Sequence, residues 1–538
     1  MLRCAAGLAL ALVAAACTAP PPAVPEPLGR LVAVDQGELL GTTDGDVLRY
    51  RGIPYAAPPV GEHRFEPPGR PHAWSGTRPA TEPGARCPQP AAGGAGRTSE
   101  DCLTVDVTVP AGTTAGARLP VLVWLHGGGF TSGAGTEVDP RRLALAGPLV
   151  VVTVNYRLGA LGFLGLPGLE GSGSFGLLDQ RAALTWVRHN ITAFGGDPDR
   201  VTLAGQSAGA DSVCAHFTSP ASVGLFHRAI MQSGECAATD LVDVIRPGTG
   251  AAGDTWKPLP LVEAAGMTIA ASLGCPAPPG DGPDASAVAA CLRALPVAQL
   301  VDGSSPAATG YYWSPATGTP TLPRRPSDIL LNRDARPGMP VLAGTTADEG
   351  TLFTALFFDG AGIPVTDAGF DALFAAAGGT GTPEAYRSPD RSPGRAWSDV
   401  ITDRAYACPG LVNHRALADR GPLYAYEFTA PAPTGPYAGL PPDLAGGAPH
   451  AAELPYLFDL VPGQPELSEG QRALADELVR RWARFATTGE PAADGATPWL
   501  PWTGEGRLLT IGGPGPASTM TPASAFAVAH RCGLWGVR

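Results

Sequence analysis

The sequence predicts an α/β fold: a large, mostly parallel central sheet with helices on both faces and loop and helix insertions over the site. Three observations carry this expectation. Val121 to Leu125 and Leu149 to Val154 are short, valine-rich apolar runs, as expected of parallel strands buried on both faces. Leu177 to Asn190 instead places Leu177, Leu178, Ala182, Leu184, Trp186 and Val187 at helical spacing. A further apolar run, Val201-Thr202-Leu203-Ala204, leads straight into Gly205-Gln206-Ser207-Ala208-Gly209, after which a helix is expected from Ala208. Strand and helix therefore alternate, which is the pattern of a parallel sheet covered on both sides.

Later elements follow the same logic. Met339 to Gly344 reads as another core strand, and Leu467 to Thr487 as a long amphipathic helix stopped at Gly489. The Pro- and Gly-rich stretch between Cys236 and Pro340 reads as insertions over the sheet. Phe353, Leu356, Phe357 and Phe358 are candidates to line a pocket, with a core role the favoured reading. Asn190-Ile191-Thr192 has the glycosylation pattern but falls at a helix end and is read as incidental.

Composition narrows the class. The chain has 538 residues, of which 44% are hydrophobic and only 16% charged, so a large core is affordable to a single unit of this size. Its 71 glycines and 58 prolines imply long ordered loops, because the apolar fraction stays high. A net charge of −12 repels phosphate backbones and argues against nucleic-acid binding. Lys257 is the only lysine and is read as compositional bias.

The N-terminus reads as a targeting signal. Arg3 precedes the apolar run Ala5 to Ala16, which is too short to span a bilayer, and small residues lead up to Cys17. This is similar to a bacterial lipoprotein signal. The expected organisation is a signal peptide at 1–16, a proline-rich tether at 17–30 beginning at a lipidated Cys17, and one domain over 31–538. The protein is expected to be exported, secreted or held at the cell surface, with membrane contact only through that lipid. Of ten cysteines, setting aside Cys4 and Cys17 leaves an even set, which suggests disulfides in an exported chain.

The chemistry centres on Gly205 to Gly209. Gly-x-Ser-x-Gly after a buried strand is a nucleophile elbow, a turn tight enough to push the Ser207 hydroxyl out above the sheet. His126-Gly127-Gly128-Gly129-Phe130 follows another strand, and its glycines can aim bare amides at a developing oxyanion. A serine hydroxyl needs a base, and the base an orienting acid, in the chain order Ser, acid, His. Among nine histidines, His414, His450 and His530 lie late enough. His450 sits in a small-residue loop suited to projecting a ring; His414 falls in a helical stretch and His530 beside Cys532. Asp348 and Glu349 directly follow the Met339 strand, and spacing does not choose between them.

With Tyr50 to Ala56, Ser99-Glu100-Asp101-Cys102-Leu103, Asn155-Tyr156-Arg157-Leu158-Gly159, Gly176 to Gln180, Phe194 to Pro198 and Gln232-Ser233-Gly234, the chain from about Val32 to Leu534 resembles the type-B carboxylesterase family, the carboxylesterase and cholinesterase group of the α/β-hydrolase fold. The resemblance implies a serine hydrolase of carboxylic esters, acting on a small-molecule ester without a cofactor or metal. It implies Glu349 as the acid beside His450, oxyanion amides at Gly128, Gly129 and Ala208, and a supporting buried serine at Ser233. It implies disulfides Cys87 to Cys102, Cys275 to Cys291 and Cys408 to Cys532; Cys214 and Cys236, left over, are expected to form a fourth. Arg64 with Glu100 and Arg157 with Asp179 are similar to the family's structural ion pairs. Two departures matter. Gln206 stands where the family often has Glu, and the Cys87 to Cys102 loop has no tryptophan, so choline esters are disfavoured against neutral esters. The alternatives are a non-catalytic surface binding protein on the same fold, or an amidase or acyltransferase with the same triad.

Overall fold

A computed structural model describes residues 26–90, 96–237, 240–276, 285–335, 337–378, 382–433, 439–461, 463, 465–512 and 518–537. The leader and Cys17 lie outside the described residues. Glu26 and Leu28, within the stretch expected as tether, already exchange backbone hydrogen bonds with Thr113 and Ala115. The folded body thus starts ahead of residue 31.

Eleven strands form the central sheet. In chain order they are β1 (Thr42–Asp44), β2 (Val47–Pro54), β3 (Thr104–Pro110), β4 (Leu119–Leu125), β5 (Val150–Val154), β6 (Gly196–Gln206), β7 (Arg228–Gln232), β8 (Val341–Thr346), β9 (Leu423–Phe428), β10 (Arg507–Ile511) and β11 (Thr519–Pro522). Their spatial order is β11-β10-β9-β8-β7-β6-β4-β5-β3-β2-β1. From β10 to β5 every pairing is parallel, while both margins are antiparallel.

The valine-rich runs form strands because both of their faces are covered. Val121, Val123 and Leu125 point into one core, with Val201, Leu203, Ala229 and Met231. Leu122 and Trp124 point into the other, with Ala204, Ile230 and Leu342. A period of two thus splits one apolar run between two cores. Helices α1 (Phe175–Asn190) and α2 (Ala208–Thr218) bury Leu177, Leu184, Val213 and Phe217 against the first. The long helix α4 (Glu469–Thr488) lays Leu478, Val479, Trp482 and Phe485 on the second, while α3 (Cys408–Ala418) joins the first through Leu411 and Leu417. Each fully buried side chain of this size contributes roughly 1.5–3 kcal/mol. Ser468 and Gln471 close a capping box on α4, and Gly489 ends it at φ 85°.

Disulfides join Cys87 to Cys102, Cys214 to Cys236, Cys275 to Cys291 and Cys408 to Cys532. Arg64 pairs with Glu100 at 2.6 Å and Arg157 with Asp179 at 2.7 Å, both pairs well buried. Asn190 is also buried; its amide accepts from Asp35 N and donates to Trp186 O, so it ties a strand turn to α1.

Candidate active site

Four neighbouring parallel strands, β6, β7, β8 and β9, bring the site together at their C-terminal ends. Ser207 follows β6, Ser233 follows β7, Glu349 follows β8, and His450 lies in the loop after β9. The ladder continues past the strand ends: Ser207 N donates to Gln232 O, Ser233 N to Gly344 O, and Asp348 N to Ala448 O. These bonds fix the loops to one another, so the functional side chains inherit the register of the sheet.

Ser207 sits at φ 56° and ψ −129°, a conformation that strains any residue with a side chain. The turn closes because the residues two before and two after Ser207 are glycines. A Cβ on Gly209 would stand 2.1 Å from Leu125 O, and one on Gly205 would stand 2.4 Å from the Gly209 carbonyl. Ser207 then caps α2, with its carbonyl accepting from Asp211 N.

His450 Nδ1 donates to Glu349, whose other oxygen accepts from Thr346 N at 2.8 Å. Glu349 is fully buried. Asp348, its neighbour, turns the other way: it pairs with Arg395 and accepts from Ala448 N, holding the His450 loop. The geometry therefore separates the two carboxylates that spacing left open. With Nδ1–H committed to Glu349, Nε2 is an acceptor, and the Gln206 side-chain amide lies 3.1 Å from it. The rings of Phe353 and Tyr406 flank the imidazole at 4.9 and 5.4 Å.

Ser207, His450, Gly128, Gly129 and Ala208 all line one cavity of about 500 Å³. Gly128 and Gly129 adopt φ 106° and 60°, which bends the loop after β4 around the serine. His126 anchors that loop: its ring stacks on Tyr156 at 4.3 Å, and Tyr156 donates to its carbonyl. Burial holds His126 down at about 4, so it is a neutral prop. Ser233 is buried, and its Oγ meets no hydrogen-bond partner among the described residues.

The other late histidines lie elsewhere. His414 is buried in α3, with its ring 5.7 Å from Trp502. His530 bonds Asp403 through Nδ1 and Glu427 through Nε2, both at 2.7 Å. Carboxylates hold it, beyond the neighbouring crosslink that the sequence suggested. Of the four, Phe358 is buried against Trp397; Phe353 and Phe357 pack against the core and line the cavity, and Leu356 is exposed in the cavity wall, correcting the core reading for Leu356 alone.

Charged residues of the cavity include Asp211 and Asp254, which were not singled out from sequence, and Lys257, which was read as bias. Asp211, one turn along α2 from Ser207, is buried, and desolvation pushes its carboxyl up to about 7 despite His450 nearby. The four-residue spacing from the serine was the available signal. Lys257 lies in the cavity wall, 1% exposed, donating to the carbonyls of Asp254 and Tyr312 and to Ser314 Oγ. Three ammonium donors meet three acceptors, a job the larger guanidinium fork does not fit. Its uniqueness as a lysine was the signal, and it marks a structural position rather than bias.

Burial lowers Lys257 to about 7, with Asp254 opposing. Protons then favour the unfolded chain, so this group adds stability as pH rises from about 7 toward 10. Lys257→Met is expected to cost about 1–3 kcal/mol through its stranded acceptors. The variant should also lack that pH-dependent gain; urea midpoints of both proteins at pH 6 to 9 measure it.

Among the described residues no group of three or more His, Cys, Asp and Glu side chains is placed to hold a metal ion.

A doubly covered parallel sheet with a strained serine turn at the C-terminal end of a central strand defines an α/β-hydrolase. The carboxylesterase family model matches residues 29–525. The chain is 34% identical to the para-nitrobenzyl esterase of Bacillus subtilis (strain 168) over 501 residues, covering 90% of this chain and 94% of that protein. It is 31% identical to human cocaine esterase, covering 93% and 89% of the two chains. Among solved structures, a thermophilic para-nitrobenzyl esterase superposes with a TM-score of 0.75 at 31% identity, covering 94% of this chain and 99% of that one. The Geobacillus stearothermophilus carboxylesterase superposes at 0.77 and 30% identity, covering 93% and 99%. The chain belongs to the carboxylesterase family and is a carboxylic ester hydrolase of the serine type.

Proposed function

We propose that Ser207 is the nucleophile, His450 its base and Glu349 the orienting acid of an acyl-enzyme mechanism. The observation that carries this reading is the His450 ring, tied through Nδ1 to buried Glu349 and left with an acceptor nitrogen in the wall that also contains Ser207. His450 Nε2 takes the Ser207 proton as Oγ attacks the ester carbonyl. The charged imidazole is stabilised by Glu349. The oxyanion lies against the amides of Gly128, Gly129 and Ala208, each such donor being worth about 10²–10³ in kcat. The tetrahedral intermediate collapses, the alcohol leaves with the proton from His450, and water repeats the sequence to free the acid.

Gln206 donates to Nε2 in the resting arrangement and yields to the serine proton during attack. Being neutral, it adds no negative charge beside the substrate. The substrate class supported by the cavity is a small neutral ester with apolar groups, because Phe130, Leu241, Ile245, Leu352, Phe353 and Phe357 form much of the wall. A fluorophosphonate probe is expected to label Ser207 alone, read by tryptic mass spectrometry. Absence of label on native enzyme would support the non-catalytic reading of the fold.

A further inference from the structure

A second groove of about 530 Å³ lies away from the catalytic cavity and shares no lining residue with it. Its walls are the outer face of α1, the loop 67–73 and the turn at Asp35 and Gln36. The walls are tied to one another. Asp35 N and Trp186 O meet on the Asn190 side chain, Trp186 Nε1 donates to Gln36, and Ala57 N fixes Gly69 O. Such a groove is formed before any ligand arrives, and its size falls within the roughly 300–1,000 Å³ of small-molecule sites.

The lining has two characters. Pro67, Pro68, Pro71, Leu178 and Ala182 supply an apolar floor and side. Arg181 supplies a cation that the fold leaves uncompensated. It is partly buried, desolvation lowers its affinity for its proton, and no carboxylate opposes that effect. Buried Arg64 and Arg157 each carry a carboxylate, whereas Arg181 has no ion pair among the described residues. Arg70 and His189 add basic groups to the same lining, against the single acid Asp35. In a chain of net charge −12, a half-buried arginine with no acid beside it offers an unpaired cation to an incoming anion.

The geometry points to a second binding site here for an organic carboxylate with an apolar tail, its carboxylate on Arg181 and its tail along the prolines. The guanidinium fork matches a carboxylate, and ester hydrolysis releases carboxylates at every turnover. The acid bound is either the enzyme's own product or one from the surroundings; both present the same chemistry.

The test uses native enzyme whose catalytic serine is blocked with a fluorophosphonate, titrated calorimetrically with decanoate. One equivalent should bind, more weakly as salt rises. Arg181→Gln should raise the dissociation constant about tenfold or more, and Ala182→Trp, which fills the groove, should abolish binding. Both variants should keep their turnover of p-nitrophenyl butyrate, which also shows that they fold. Blocked enzyme that binds no decanoate, or binding indifferent to Arg181→Gln and Ala182→Trp, overturns the site. Binding of product acid that disappears only on blocking Ser207 would place it in the catalytic cavity instead and equally overturn it. A failure of Ser207 to react with the probe would count against the catalytic reading alone, since the same titration runs on Ser207→Ala.

Discussion

Ser207→Ala is expected to lower kcat for p-nitrophenyl butyrate by a factor on the order of 10⁶, and Glu349→Gln by about 10⁴. The two losses have different origins. Without Oγ no acyl-enzyme forms, and only the oxyanion donors and ordinary binding remain. With Gln at 349 the nucleophile is intact, but His450 Nδ1 meets an amide that can present its N–H. That favours the tautomer whose Nε2 carries the proton and cannot accept another. Double replacement should cost little more than Ser207→Ala alone, because the three groups act as a unit. Folding should survive in both cases, since Thr346 N can bond the Gln oxygen as it does Glu349. Stopped assays on protein quantified by absorbance measure the rates, and melting curves check the fold. A Glu349→Gln variant within tenfold of the native rate would remove Glu349 from the mechanism.

The second large effect concerns stability. Burial alone would lower His530, but hydrogen bonds to Asp403 and Glu427 outweigh it and hold the imidazole at about 9. A folded-state value above the ordinary 6.5 means that the charged ring stabilises the native chain. That contribution is fully present below about 6.5 and is lost as pH rises through about 9. The shift corresponds to roughly 3 kcal/mol. His530→Gln should remove this pH-dependent part, so the gap between the two proteins should be widest near pH 6 and narrow by pH 9.5. Comparing variants is necessary because Lys257 acts in the opposite direction over part of that range. A gap constant with pH would show that His530 binds its proton equally in the folded and unfolded chains, so that Asp403 and Glu427 do not raise it.

Much of the fold was legible because it rests on local patterns. The runs at Val121, Val150 and Val201 alternate between two cores, and burial on both faces leaves no polar residue to blur them. The elbow was legible because two glycines and a small residue are the only way to close that turn. The acid was not legible from spacing, since Asp348 and Glu349 differ only in which way the chain leaves β8. What spoke from sequence least were contacts between distant segments. Lys257 reaches Tyr312 and Ser314, and Phe353, packed at the edge of the core, also meets the His450 ring. The groove beside α1 is likewise a product of three separated segments, so no window of sequence contains it.

The placement of the site on four successive strands has a consequence for how the enzyme comes into being. Glu349 and His450 stand 101 residues apart, and Ser207 earlier still. Such non-local pairings carry a high contact order and assemble slowly. On the proposed triad, a nascent chain that has emerged only past β8 owns a serine and an acid but no base. Catalysis is then expected to begin only once the segment carrying His450 has docked. Recovery of activity during refolding reports completion of the whole sheet, whereas circular dichroism would register helices and strands formed earlier.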